Sequence, residues 1–304
     1  MRILNFGSLN IDHVYHVDHF ARPGETIAAH SFELFPGGKG LNQSIALARA
    51  GAAIYHAGKL GHDGEMLKEI LDKNRVNTDY LEKADEVCGH ALIQVTNQGE
   101  NSIIIYGGSN KTITEDFVDS VIRDFGREDM VLIQNEVSCI GYIARKCAER
   151  GMRIAFNPSP LDEELLKSFP FELVSLFVVN EIEGHGLTGK EETHEILDAL
   201  MIKYPDSAVV LTLGNRGAVY RDKAHTYTHG TYDVEVVDTT AAGDTFTGYF
   251  LGCLSAGNSI PECLRKASVA SSLAVSREGA SSSIPTMDEV DKALHTLRYN
   301  PYKG

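Results

Sequence analysis

The run Met130-Val131-Leu132-Ile133-Gln134, followed by Ile140 to Arg150, then Gly151 and Arg153-Ile154-Ala155-Phe156, decides the fold of this 304-residue chain. The first run is apolar without alternation, the pattern of a strand covered on both faces. The second repeats its apolar residues at helical spacing and stops at a glycine, the residue that most easily adopts the conformation closing a helix. The third is another buried strand. Strand, helix and strand in succession favour parallel strands with a helix laid on the sheet.

The same alternation extends outward from this unit. Leu176-Phe177-Val178-Val179 and Ala208-Val209-Val210-Leu211-Thr212-Leu213 read as strands, with a helix over Thr193 to Lys203 between them. The C-terminal third holds helices near 244 to 256, 261 to 277 and 287 to 298. Thr114 suits the N-cap of a helix from Glu115 to Phe125, with Glu115 and Asp116 answering its dipole. Met1 to Gly7 reads as a strand entering a turn. The expected fold class is α/β, a mainly parallel central sheet with helices on both faces.

Two stretches, residues 12–35 and 88–107, break the alternation and read as antiparallel strands. Ala91-Leu92-Ile93-Gln94-Val95 and Ser102-Ile103-Ile104-Ile105-Tyr106 flank an Asn97-Gln98-Gly99-Glu100 turn, a hairpin signal. The expected organisation is an α/β domain over 1–11, 36–87 and 108–304, with a small β-sheet from the two insertions. That sheet could be a lid excluding water from a cleft or a dimerisation surface. The tail from Asn300 to Gly304 is expected to fray.

Composition narrows the function classes. Hydrophobic residues make up 43% and charged residues 23%, a globular balance. No apolar run approaches the ~20 residues that span a membrane. The start lacks the apolar core of a signal peptide, so the expectation is a cytoplasmic protein. Five cysteines (Cys88, Cys139, Cys147, Cys253, Cys263) form no C-x-x-C pair, which argues against a disulfide framework or a zinc knuckle. With 42 acids against 28 bases the net charge is −14, a field that repels nucleic acid and anionic membranes. A phosphorylated ligand therefore needs local compensation from helix N-termini, a metal ion or a few placed cations.

Such compensation is available at Val237-Asp238-Thr239-Thr240-Ala241-Ala242-Gly243-Asp244-Thr245-Phe246, a strand-to-helix turn. Apolar residues at Phe246, Tyr249, Phe250 and Leu254 place a helix start there, where the N–H groups of Ala241, Ala242 and Gly243 would face an anion. Asp244 could take a proton from a hydroxyl attacking a phosphate on those donors, or could simply answer the helix dipole. A second turn, Gly37-Gly38-Lys39-Gly40-Leu41-Asn42-Gln43-Ser44, fits neither the P-loop nor the dinucleotide fingerprint. It brings backbone close to a ligand, with Lys39 and Asn42 as polar heads, or is a capped turn. Asn10 and Asp12 share one side of a strand end and suit hydroxyl recognition or an Asx turn. Asn180 and Glu183 follow another strand, with the oxygen chemistry that holds Mg²⁺ through its waters. His13, His16 and His19 alternate faces on a strand, which disfavours a metal site.

Together these residues resemble the ribokinase family of carbohydrate and nucleoside kinases over essentially the whole chain. The glycine signature fits from Gly37 through Asn42 and Ser44 to Gly51 and Gly61, and the C-terminal signature from Asp238 to Asp244, with Asn180-x-x-Glu183 between them. The resemblance implies ATP-dependent phosphorylation of a sugar, most simply the 5-hydroxyl of D-ribose. Another unphosphorylated sugar or a nucleoside is the alternative, and a sensor without chemistry is a third. It implies Asp244 as base and the amides of Ala241, Ala242 and Gly243 as the γ-phosphate anion hole. It places Asn10, Asp12, Gly38, Lys39, Asn42 and Glu136 on the sugar. Asn180 and Glu183 fall at the Mg²⁺-associated pair, and Thr212, Gly214 and Gly217 in the nucleotide loop, with Ser268 beside the adenine. Asp238, Thr240, Ala274, Arg277, Gly279 and Ser283 match the loops that hold a K⁺-like ion, mainly through carbonyls. The family's lid, at 12–35 and 88–107, also implies a homodimer.

Overall fold

The computed structural model describes residues 1–303, so Gly304, the last residue of the tail expected to fray, lies outside the described residues. In chain order the first elements are β1 (Arg2–Phe6), β2 (Asn10–Val17), β3 (Ser31–Gly37), α1 (Lys39–Arg49), β4 (Ala53–Leu60), α2 (Glu65–Lys73), β5 (Asn77–Lys83), β6 (Gly89–Thr96) and β7 (Asn101–Tyr106). The middle holds α3 (Glu115–Ile122), β8 (Met130–Gln134), α4 (Ile140–Glu149), β9 (Arg153–Asn157), α5 (Glu163–Ser168), β10 (Leu176–Asn180), α6 (Glu181–Thr188) and α7 (Thr193–Lys203). The last are β11 (Ala208–Thr212), β12 (Ala218–Arg221), β13 (Thr226–His229), β14 (Thr231–Tyr232), α8 (Ala242–Ser255), α9 (Ile260–Val275), α10 (Met287–Thr296) and β15 (Tyr299–Asn300).

Nine strands form one sheet in the order β13-β12-β11-β10-β9-β8-β1-β4-β5. Every pairing from β11 to β5 is parallel, while β12 and β13 add an antiparallel edge that the sequence reading did not separate. Successive residues of a strand point to opposite faces. Accordingly Ile3, Met130 and Leu132 enter a core with α1, α8 and α9, whereas Leu4, Val131 and Ile133 enter a second core with α3, α4 and α7. The unbroken apolar runs are thus consumed by two cores, one on each face. No helix among the described residues is long and apolar enough to cross a membrane.

β8, α4 and β9 occupy the expected positions, with Gly151 in the left-handed region at φ 70°. Thr114 caps α3 by accepting a hydrogen bond from the Phe117 amide, although α3 ends at Ile122 rather than Phe125. The small sheet has the order β3-β2-β6-β7. Its outer pairings are antiparallel as expected, but β2 and β6 run parallel at its centre. The tail is tied down further than expected, since Tyr299 and Asn300 pair with Tyr232 and Thr231.

In the order β5-β4-β1-β8-β9-β10-β11, the chain runs to one side of β1 and then restarts with β8 on the other. Ligands in open α/β sheets collect beyond the carboxyl ends of strands at such a reversal. Ser8, Gln134, Glu136 and Asn157 all lie at or just beyond the carboxyl ends of β1, β8 and β9.

Candidate active site

Asp244 opens α8, which starts two residues earlier than expected because Ala241 adopts a left-handed conformation, φ 58°, and turns the chain into the helix. The Ala242 amide donates to the Thr239 carbonyl at 3.2 Å, so it is not the free donor the sequence suggested. The amides of Ala241 and Gly243 have no acceptor among the described residues and remain open to an anion. Asp244 is only 8% exposed. Its Oδ2 accepts from Asn42 Nδ2 at 3.1 Å and its Oδ1 from Gln43 Nε2 at 2.8 Å. Both donors come from α1, which α8 approaches closely because residue 248 is glycine; a Cβ there would lie 2.3 Å from that of Ala46.

The glycine turn serves that helix. Gly38 precedes α1 at φ 94°, a conformation strained for any side chain but glycine's hydrogen. The Lys39 amide then donates to Glu136 Oε2 at 3.0 Å, and the Ser8 hydroxyl bonds the same oxygen. Burial works against the Lys39 ammonium, yet the carboxylates of Asp244, Glu136 and Glu183 outweigh it and hold its pKa above the ordinary lysine value. Burial pushes the Glu136 carboxyl up, with Ser8 and Lys39 pulling the other way. Burial likewise raises Asp12 to about 6, with Glu136 adding repulsion. Asn10 is fixed by Asn110, whose Nδ2 donates to its Oδ1 at 2.7 Å. Asn42 has a buried Oδ1 with no partner among the described residues.

On the other side of Asp244 lies a cleft of about 250 Å³. Lys39, Asn180, Glu183, Thr212, Ala241, Ala242, Gly243 and Asp244 all line it. Asn180 and Glu183 form a reciprocal capping box: Asn180 Oδ1 accepts from the Glu183 amide at 2.8 Å, and Glu183 Oε2 from the Asn180 amide at 3.0 Å. Gly214 and Gly217 bound a short turn after β11, both at positive φ. Ser268 is buried on α9, outside the residues lining this cleft. Asn10, Asp12, Gly38, Asn42 and Glu136 also lie outside its lining, with Asn10 and Asp12 on β2 of the small sheet.

A family model described as pfkB family carbohydrate kinase matches residues 2–287. The chain belongs to that family. This carbohydrate kinase is 33% identical to the ribokinase of Haemophilus influenzae, over 93% of this chain and 95% of that one. It resembles the solved structure of Cryptococcus neoformans var. grubii ribokinase in complex with ADP, with a TM-score of 0.85 and 32% identity over 96% of this chain and 99% of that one. It also resembles Arabidopsis thaliana ribokinase complexed with ribose and ATP, with a TM-score of 0.84 and 31% identity over 96% and 98% of the two chains.

Two further features of this carbohydrate kinase concern the expected ion loops and residues beyond the expected set. Asp238 ties two loops together: Oδ1 accepts from the Thr240 amide at 2.9 Å and Oδ2 from the Gly279 amide at 3.0 Å. The carbonyls of Thr240, Arg277 and Gly279 accept no hydrogen bond among the described residues, whereas that of Ala274 accepts from the Arg277 amide. Ser283 turns its hydroxyl onto the Ala280 carbonyl at 2.8 Å. The second feature is the support of Asp244 by Gln43, Gln134, Asn157 and Asn5, which the sequence reading missed. Asn5 and Gln134 stand in strands buried on both faces, where a polar side chain demands a partner. That was the available signal.

Proposed function

We propose that this carbohydrate kinase transfers the γ-phosphoryl group of ATP to the 5-hydroxyl of D-ribose. The observation that carries the reading is the Asp244 carboxylate, oriented by Asn42 and Gln43 beside the open amides of Ala241 and Gly243. Asp244 accepts the hydroxyl proton as that oxygen bonds to the γ-phosphorus; the bond to the bridging oxygen breaks and ADP leaves. The two amides hold the charge on the transferring group. Asn10, Asp12, Gly38, Lys39, Asn42 and Glu136 hold the sugar, and the unpartnered Asn42 Oδ1 is suited to accept from a sugar hydroxyl. Thr212, Gly214, Gly217 and Ser268 border the nucleotide.

Asn180 Oδ1 and Glu183 Oε2 each accept from the other's backbone amide, and the pair offers the oxygen chemistry that holds Mg²⁺ through its waters. When bound, Mg²⁺ offsets charge on the nucleotide phosphates. The free carbonyls of Thr240, Arg277 and Gly279, with Asp238, Ala274 and Ser283, make an oxygen-donor set suited to K⁺. The small sheet acts as a lid, and its exposed apolar surface pairs with a second copy to make a homodimer. Phe32, Ile103, Ile104 and Ile105 are 48%, 50%, 64% and 70% exposed there, an apolar surface that fits such a partner. A cytoplasmic location fits a reaction that consumes ATP.

The test is ADP release with ATP against D-ribose, 2-deoxyribose, other pentoses, ketohexoses and nucleosides. Ribose should give the highest kcat/KM. Faster turnover of another member would move the substrate, and no turnover on any would overturn the kinase reading.

A further inference from the structure

The amide groups beneath Asp244 form a chain whose direction is fixed from both ends. At one end Asn5 donates its two N–H bonds to the Gly40 carbonyl and to Ser44 Oγ, both at 2.8 Å. A carbonyl can only accept, so Asn5 must turn its Oδ1 the other way, where it accepts from Gln134 Nε2 at 3.0 Å. The same Gln134 nitrogen gives its second hydrogen to Gln43 Oε1 at 2.7 Å. At the other end Asn157 donates to the Val178 carbonyl at 3.0 Å and turns its Oδ1 to Gln43 Nε2, also at 3.0 Å. Two backbone carbonyls, one on each side, therefore oblige Gln43 to point its NH₂ group at Asp244.

The Ser44 link is anchored as well. Burial pushes His56 down to about 4, so its ring is neutral, and its Nε2 lies 3.1 Å from the Gly7 carbonyl. That leaves Nδ1 to accept from the Ser44 hydroxyl at 2.8 Å. The arrangement carries a cost, because Gln134 Oε1 is buried without a partner among the described residues. A chain selected for packing alone would be more stable with both amide ends satisfied.

We propose that Gln43 is the positioning residue of Asp244 and that Gln134 and Asn5 exist to hold its amide in one orientation. A flipped Gln43 would set its oxygen against a carboxylate oxygen and displace the base from the attacking hydroxyl. The proposal rests on the reading of Asp244 as base.

The test uses the full-length enzyme with the sugar it turns over fastest, comparing Gln43→Met, Gln134→Met and Asp244→Asn, singly and combined. Gln43→Met should lower kcat roughly 10²-fold with the sugar KM little changed, as expected when a reacting group is misplaced. Gln134→Met should cost on the order of tenfold, one hydrogen bond further back. In the Asp244→Asn background, Gln43→Met should remove nothing more from the single-turnover rate. An equal loss in that background, or a rise in KM with kcat intact, would overturn the positioning role. If Gln43→Met does not fold by thermal melting, Gln134→Met carries the same comparison. Undiminished activity of Asp244→Asn would remove the base itself, whereas full activity of Gln43→Met and Gln134→Met beside an inactive Asp244→Asn would remove only the relay.

Discussion

The two sides of the site are built on opposite plans. Around Asp244 both carboxylate oxygens accept amide donors from α1, and the supporting amides end on backbone carbonyls, with Asn42 Oδ1, Gln134 Oε1 and Thr245 Oγ1 left without partners among the described residues. Around Asp12 and Glu136, buried carboxyls carry raised pKa values, and Asp12 has no hydrogen-bond donor among the described residues. The Asp244 carboxylate is oriented before any ligand arrives and needs little reorganisation. Glu136 already accepts from Ser8 and Lys39, whereas Asp12 would gain a donor only from a ligand hydroxyl, which would ease its desolvation penalty. The carboxylate proposed as base is preorganised, and Asp12, among the groups proposed for recognition, is left in want of a partner.

That contrast can be broken on either side. The largest effect is expected from Asp244→Asn, a roughly 10³-fold loss of kcat of the size general bases supply, with sugar affinity by calorimetry little changed. A parallel loss of affinity would show that Asp244 also belongs to the recognising half. The next effect concerns Asp12, which a bound hydroxyl engages best as a carboxylate. With its pKa at about 6, sugar affinity should be about tenfold weaker at pH 5 than at pH 7.5. A flat profile in the Asp12→Asn variant would assign the dependence to this group, and a flat profile in the unmodified protein would place Asp12 with the preorganised half. The smallest effect is on stability. The folded pKa of Asp12 lies above the unfolded value, so the folded chain binds more protons between the two, and stability falls as pH rises through about 6. Asp12→Asn should therefore raise the melting temperature at pH 7.5, by roughly 3 °C on the usual scaling, and leave it unchanged at pH 3.5.

The difference between the two halves also tracks what the sequence could disclose. Local rules sufficed for β8, α4 and β9, because unbroken apolar strands and a glycine stop need no distant partner. They sufficed for the Thr114 cap, which spans three residues. They failed where partners are far apart. The parallel seam of β2 and β6 joins Asn10 to Gly89, and nothing within either segment announces that direction. Asn42 stood out as a recognition residue, yet its amide holds Asp244, two hundred and two positions away. Gln43 and Gln134 looked like ordinary polar ends of a helix turn and a strand until the sheet brought them to 2.7 Å.

β7 is an edge strand of the small sheet, and all six of its residues, Asn101 to Tyr106, are exposed. An uncovered edge strand presents unpaired backbone groups, a template for pairing with another strand. A second copy of the same chain offers such a strand, although a net charge of −14 on each copy opposes its approach. Asp12, proposed to meet the sugar, sits on β2 in the same small sheet, one strand removed from this edge. If a second copy pairs there, abundance becomes a control variable: specific activity should then fall on dilution, and a concentration-independent specific activity would disconnect this edge from the site.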